Sequence, residues 1–356
     1  MPKRVIVIGS GIIGASAAWH LAKGGADVTV LEAGETGGLA TRNSWAWINA
    51  SWGNPEPYFR LRQHAIAEWH RLAAEIPALA VNWCGGLIWD LPEAELAAYA
   101  EQRRAWGHPI RRLTRAEILQ REPNLRDVPE HAFLAEEEGV LEPLATSQAL
   151  LAAASALGAE VLSGAPVKWL EGEGRVTGVM TNDGVIHADE TLVTAGVHTD
   201  TLLASAGITL KLTAPAGLLA HSKPAPKLLN GLVMTPGLHI RQTAEGRIVA
   251  GTDFAGADPE GDAEALAASL QHKVEAMVTG AEGLGLDFLT VGHRPTPADG
   301  FPAIGRPRGR AGLYTIVTHS GVTLAAALGR FAAEELLTGR RDALLDPYHP
   351  DRPTLS

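Results

Sequence analysis

The chain has 356 residues, 46% of them hydrophobic and 20% charged, enough for two domains with a buried core and unlike a disordered tail. A formal net charge of -10, with Arg103-Arg104, Arg111-Arg112 and Arg340-Arg341 as isolated basic pairs, excludes nucleic acid as an expected partner. The single cysteine, Cys84, excludes an intrachain disulfide and a cysteine-rich metal site, and no metal is expected. No run of about 18 apolar residues is present to span a membrane, so a cytoplasmic location is the expectation.

Val5-Ile6-Val7-Ile8 opens the chain as a short β-branched run, the pattern of a strand buried on both faces. Gly9-Ser10-Gly11-Ile12-Ile13-Gly14 follows at once, and Ala15 to Lys23 read as a helix stopped by Gly24-Gly25. Asp27 to Leu31 read as a second parallel strand, and Glu32 ends it at close to the roughly 20-residue spacing of a dinucleotide fingerprint. Each position has a task. Gly9 permits the tight turn, Gly11 lets backbone approach a pyrophosphate, and Gly14 lets helix and strand pack closely. The helix start, with Ile12 and Ile13, offers N–H groups and a positive dipole end to phosphates. Glu32 can accept from both ribose hydroxyls, which argues against a 2′-phosphate, with Ala33 beside it.

This unit alone leaves NAD and FAD both open. The following segment, Gly34 to Ser44, is rich in glycine and hydroxyls and suits a second backbone pass beside a long dinucleotide, through Ala40, Thr41, Asn43 and Ser44. A nicotinamide enzyme normally enters another βα unit here. This chain enters Trp45-Ala46-Trp47-Ile48-Asn49-Ala50-Ser51-Trp52 instead, then a helix from about Tyr58 to Ile76.

With two further blocks, the chain resembles the D-amino-acid oxidase superfamily, in particular its glycine oxidase and sarcosine oxidase branch. One block is Ala188 to His198, a strand ending in the Ala195-Gly196 turn. The other is Gly292 to Gly305, followed by Gly312-Leu313-Tyr314 and by Thr318-His319-Ser320-Gly321-Val322-Thr323-Leu324 at the start of the last long helix. The resemblance implies an α/β fold. A Rossmann-type FAD-binding domain would be assembled from residues 1–75, 140–205 and 290–356, and a substrate domain on an antiparallel sheet from 76–139 and 206–289. It also implies backbone contact with the adenine side near Val167. Gly321, Val322, Thr323 and Leu324 would lie at the flavin ring, their N–H groups stabilising negative charge at N1 and O2. The terminal block has no cysteine and Ala40 to Ala50 no histidine, so FAD is expected to be non-covalent. The Ser320-Gly321-Val322 turn lacks the arginine glycine oxidase carries nearby, a departure from that branch's glycine-binding pattern.

Residues 92–121 carry a charged, helical pattern that reads as a solvated face. Ala145 to Leu157 read as a helix, Glu160 to Ser163 and Val176 to Thr181 as strands, and Gly237 to Gly251 as a hairpin turning at Ala244-Glu245-Gly246. The antiparallel sheet is expected to roof the isoalloxazine ring.

The resemblance implies oxidation of an amine or amino acid by hydride transfer from Cα to flavin N5, giving an imine that hydrolyses. Oxygen or another acceptor would reoxidise the flavin. Related flavoproteins oxidise C–O bonds, so a 2-hydroxy-acid dehydrogenase is an alternative, as is a subunit whose substrate comes from a partner. The oligomeric state is not legible. An anionic substrate needs a cationic clamp, and Arg294, before Pro295, matches the family's carboxylate-binding position, against the reading of a salt-bridged arginine. His239 and Arg241 share one strand face and either face the cavity or point outward. His319 stands beside the ring edge as either a catalytic or a structural histidine. Trp45, Trp47, Trp52, Trp83 and Trp89 form an aromatic wall or ordinary core, with Trp47 the first choice for the site.

Overall fold

Val5, Ile6, Val7 and Ile8 are all buried, as a continuous β-branched run becomes when both faces of its strand are covered. In the computed structural model, described for residues 1–51, 53–253, 259 and 261–355, they belong to strand Arg4–Ile8 near the middle of a six-stranded sheet. The order across that sheet is Ala303–Gly305, Leu313–Val317, Glu190–Val193, Arg4–Ile8, Asp27–Leu31 and Glu160–Leu162. All neighbours run parallel except the outermost pair, Ala303–Gly305 against Leu313–Val317. Four of the strands, at 4–8, 27–31, 160–162 and 190–193, were legible locally; their order, with residues 190–193 beside 4–8, is a property of the fold.

One face of the sheet is covered by the opening helix Ile12–Lys23, the terminal helix Gly321–Thr338 and the helix Pro143–Ala156. The first two pack backbone to backbone. A Cβ on Gly329 would stand 2.3 Å from Ser16 Oγ and 2.7 Å from its carbonyl carbon. The helix Glu56–Glu75 lies on the terminal helix, and its Trp69 indole donates to the carbonyls of Val322 and Thr323, both at 3.0 Å.

The second sheet has eight strands, in the order Leu286–His293, Ala216–Ser222, Ile248–Gly251, Leu238–Gln242, Leu232–Thr235, Gly86–Ile88, His131–Ala135 and Ile110–Thr114. It is antiparallel except where Leu232–Thr235 runs parallel to Gly86–Ile88. The hairpin at 238–251 forms as its alternating pattern predicts. Helix Ala263–Met277 covers one face, burying Ala267, Leu270 and Val274 against Leu218, Ile240 and Ile248.

The segment 92–121 is partly helical, as its charged pattern suggests, but it also holds a strand and a buried arginine. A helix, Glu93–Ala105, breaks at Gly107 with φ +86°, a strand occupies Ile110–Thr114, and a capping box of Thr114 and Glu117 starts a second helix, Arg115–Arg121. Glu93, Glu95, Glu101 and Arg104 are exposed, but Arg103 is buried. Its guanidinium carbon sits 5.2, 4.6 and 4.5 Å from the ring centres of Phe59, Tyr99 and Trp106, while Nη2 donates to Asn54 O at 2.9 Å. Aromatic rings and carbonyls together replace the water such a cation would otherwise hold.

Candidate active site

The parallel strands of the first sheet end at a cavity of about 1280 Å³ whose far wall belongs to the second sheet. Ordinary small-molecule pockets hold roughly 300–1,000 Å³. This one has room for a longer ligand.

At one end the glycine turn does what its spacing predicts. Gly9 has φ +99°, and a Cβ there would meet Thr194 O at 2.6 Å; one on Gly14 would meet Gly9 O at 1.9 Å. Gly14 is therefore packed away from the cavity, fixing helix to strand, whereas Gly9, Gly11, Ile12 and Ile13 line it. Ile12 N donates to Thr41 Oγ1 at 3.1 Å, which ties the helix start to the second backbone pass. Ala33, Ala40, Thr41, Asn43 and Ser44 line the cavity along that pass. The Glu32 carboxylate is held at the rim, accepting from Ser10 N at 2.9 Å, Ser10 Oγ at 2.6 Å and Gly34 N at 3.2 Å. Val167, Ala195 and Gly196 complete this half.

At the other end, Gly321, Val322 and Thr323 present the first turn of the terminal helix to the cavity, and Leu324 turns into the core. The cap residue, Ser320, gives no side-chain bond to that turn, so its N–H groups have no intrahelical acceptor. Arg294 follows the strand Leu286–His293 and reaches the same space. Among the described residues its buried Nε finds no hydrogen-bond partner, and burial lowers its pKa while Asp253 opposes the shift. His319 lines the cavity between two guanidiniums: burial, then Arg62 and Arg294, push its pKa down to about 4. It is neutral at pH 7.

The second sheet lines the cavity through Gly217 and Leu219 and through Val291, Gly292 and His293 rather than through the 238–251 hairpin. Gly292 lets that wall close on the Rossmann half: a Cβ would sit 3.1 Å from Asn43 O, and Asn43 Nδ2 donates to Val291 O at 3.2 Å. Trp45 and Trp47 line the cavity with ring centres 6.1 Å apart. Trp83 stacks on His70 and Trp89 packs against the second-sheet core, so neither faces the cavity; Trp52 lies outside the described residues.

His239 is the sequence-selected residue that the fold keeps out of the site. It is buried, 3.3 Å from Asp90 Oδ2, with its ring 5.8 Å from that of Trp45. Arg241 shares its face, as period two requires, and donates to Trp45 O at 2.7 Å and Glu142 Oε1 at 3.0 Å. His239 lies against the Trp45 ring and Arg241 against the Trp45 carbonyl, and neither lines the cavity.

The residue that sequence reasoning missed is Arg62. It lines the cavity at 5% exposure, donating to Asn49 O at 3.0 Å, to Asn49 Oδ1 and to Ser320 Oγ at 2.7 Å. Its signal was a charged residue inside the apolar stripe Phe59, Ile66 and Trp69 of an amphipathic helix, where water is not available.

A parallel-sheet dinucleotide unit, an acid at the ribose position and a second sheet closing the cleft define a Rossmann-type redox protein. The chain belongs to the FAD dependent oxidoreductase family, whose model matches residues 4–335, and it is an FAD-dependent enzyme. It is 29% identical to a glycine oxidase of Pseudomonas putida over 99% of both chains. Among solved structures it is similar to glycine oxidase from Geobacillus kaustophilus, with TM-score 0.86, 24% identity and coverage of 98% of this chain and 99% of that one. L-proline dehydrogenase from P. horikoshii superposes with TM-score 0.84 at 22% identity, over 98% of both chains. The residues present fit the cofactor. A glycine cradle that a Cβ would block faces one end of the cavity, and the first turn of the terminal helix, whose N–H groups have no intrahelical acceptor, faces the other.

Proposed function

We propose that this enzyme oxidises an amine or amino acid that carries a carboxylate, taking hydride from the α-carbon and releasing an imine that water hydrolyses. One observation carries the reading: Arg294 lines the cavity that also receives the first turn of the terminal helix. A planar guanidinium fork suits a carboxylate, and fixing that group would set Cα against the ring. FAD, when bound, supplies the hydride acceptor. The P. putida relative, named for oxidation of an amino acid, supports the substrate class.

The remaining roles follow from position. Gly9, Gly11, Ile12 and Ile13 would hold the diphosphate and Glu32 a ribose, while Val167 flanks the adenine side and the 321–323 turn faces the ring. Neutral His319 accepts or donates a hydrogen bond without adding charge, and Trp45 and Trp47 exclude water. The FAD domain would comprise residues 1–75, 140–205 and 290–356, with the substrate domain from 76–139 and 206–289. Cys84 is buried and does not line the cavity, so FAD would be non-covalent, and acid precipitation should release all the yellow colour. The deciding experiment is anaerobic bleaching of the bound flavin by a panel of amino acids, amines and 2-hydroxy acids, repeated in air and with an artificial acceptor. Bleaching by acidic amines supports the proposal. Bleaching by hydroxy acids alone would replace it with C–O oxidation.

A further inference from the structure

Of the other buried arginines, Arg241 sits against the Glu142 carboxylate, and Arg103, away from the cavity, is held by aromatic rings and carbonyls. Arg62 lines the cavity and, among the described residues, has no carboxylate beside it. Its hydrogen-bond partners are the neutral Asn49 and Ser320, its guanidinium carbon lies 5.3 Å from the Tyr58 ring centre, and among the described residues no acid is within 4.0 Å. Desolvating a charge costs several kcal/mol unless a counter-charge or many donors and acceptors compensate. The acids lining the cavity, Glu32 and Glu35, stand at its opposite end. Arg62 thus waits beside Ser320, the residue that caps the turn facing the cavity, with no carboxylate paired to it among the described residues.

Hydride delivery puts two electrons and one proton on the isoalloxazine and so one net negative charge, spread over N1 and O2. Free N–H groups of a helix start stabilise such charge by dipole alone. We propose that Arg62 is a positioning residue that supplies the full positive charge for this edge, raising the flavin's reduction potential from behind the Ser320 cap, with Asn49 holding its fork in place. The inference rests on the ring end lying at the 321–323 turn, as proposed above. It assigns Arg62 to the cofactor and leaves Arg294 for the substrate.

The test uses the holoenzyme and no amine substrate, so failure of the substrate assignment cannot mimic failure here. Midpoint potential and sulfite affinity are measured for wild type, Arg62→Gln and Arg62→Lys. Sulfite bonds to N5 and leaves the same negative charge on the ring, so both readouts report one effect. Arg62→Gln should weaken sulfite binding at least tenfold and lower the potential by about 30 mV or more, the tenfold equivalent for a two-electron couple. Arg62→Lys should stay near wild type. Equal damage in both variants would make the residue a packing element and overturn the proposal. An unchanged potential with weakened FAD binding would show that another part of the cofactor lies at this turn; an unchanged potential with unchanged FAD binding would leave the ring placement standing and remove Arg62 from it. Should Arg62→Gln not retain flavin, Asn49→Asp sets a counter-charge on the same fork and must lower the potential in the same direction.

Discussion

Arg294 lines the cavity, and a substrate carboxylate that met its guanidinium there would gain a charged hydrogen bond. Removing it should cost acidic substrates what a charged hydrogen bond contributes, roughly 1.5–3 kcal/mol, or about 10- to 100-fold in KM. Arg294→Ala should keep its flavin, and an unchanged KM for an amino acid would remove the carboxylate role. Histidines set a second expectation at this scale. Burial, with nearby arginines, drops His221 and His319 to about 4, and burial with Arg71 and Arg330 drops His20 to about 3. An unfolded chain protonates these rings near 6.5, while the folded chain keeps them neutral until about 4. Their contribution is therefore complete above pH 6.5 and lost as the pH falls toward 4. Urea midpoints should decline across that window, less steeply in His221→Gln; a flat profile from pH 7 to 4.5 would contradict the assignment. Arg62 shows why sequence gave only part of the site. Glycines at fixed spacing announce a phosphate cradle by themselves, but Arg62 acquires its meaning from Ser320, 258 residues away, and no local pattern encodes that meeting.

At the scale of elements, legibility followed how far each segment dictates its own environment. The strand Arg4–Ile8 and helix Ile12–Lys23 were readable because β-branched run, glycine turn and helix formers sit side by side. Within 92–121 the charges hid a strand, although Gly107 and the Thr114–Glu117 pair marked its limits. The 238–251 hairpin was readable as a hairpin but not in its depth, since whether His239 faces a ligand or an indole depends on Trp45 from another segment. The crossing of the opening and terminal helices is the most exacting contact between elements. Gly329→Leu would drive a side chain into the Ser16 backbone, and overpacking of this kind costs about 1–3 kcal/mol. We expect a lower urea midpoint together with reduced flavin content, because the same displacement moves the 321–323 turn. Full flavin occupancy in that variant would show that the turn tolerates the shift.

For the whole molecule, a cavity of this size lined from both sheets makes the ligand part of the structure. A cofactor that binds only the folded state stabilises it by about 2.7 kcal/mol at a hundredfold excess over its Kd. Stripping FAD should therefore lower Tm, added FAD should restore it in a concentration-dependent way, and the apoprotein should be cut faster by protease. A Tm indifferent to FAD would mean that the cleft wall stands without its occupant.

The strand Arg4–Ile8 is made first yet lies deep in its sheet, flanked on one side by a strand from residues 190–193, which itself pairs with residues 313–317. During synthesis the glycine turn thus stays beside an unfinished sheet edge until residues 190–193 and 313–317 have been made. The cleft that would take the coenzyme closes only after the helix that crosses Ser16 has cleared the ribosome.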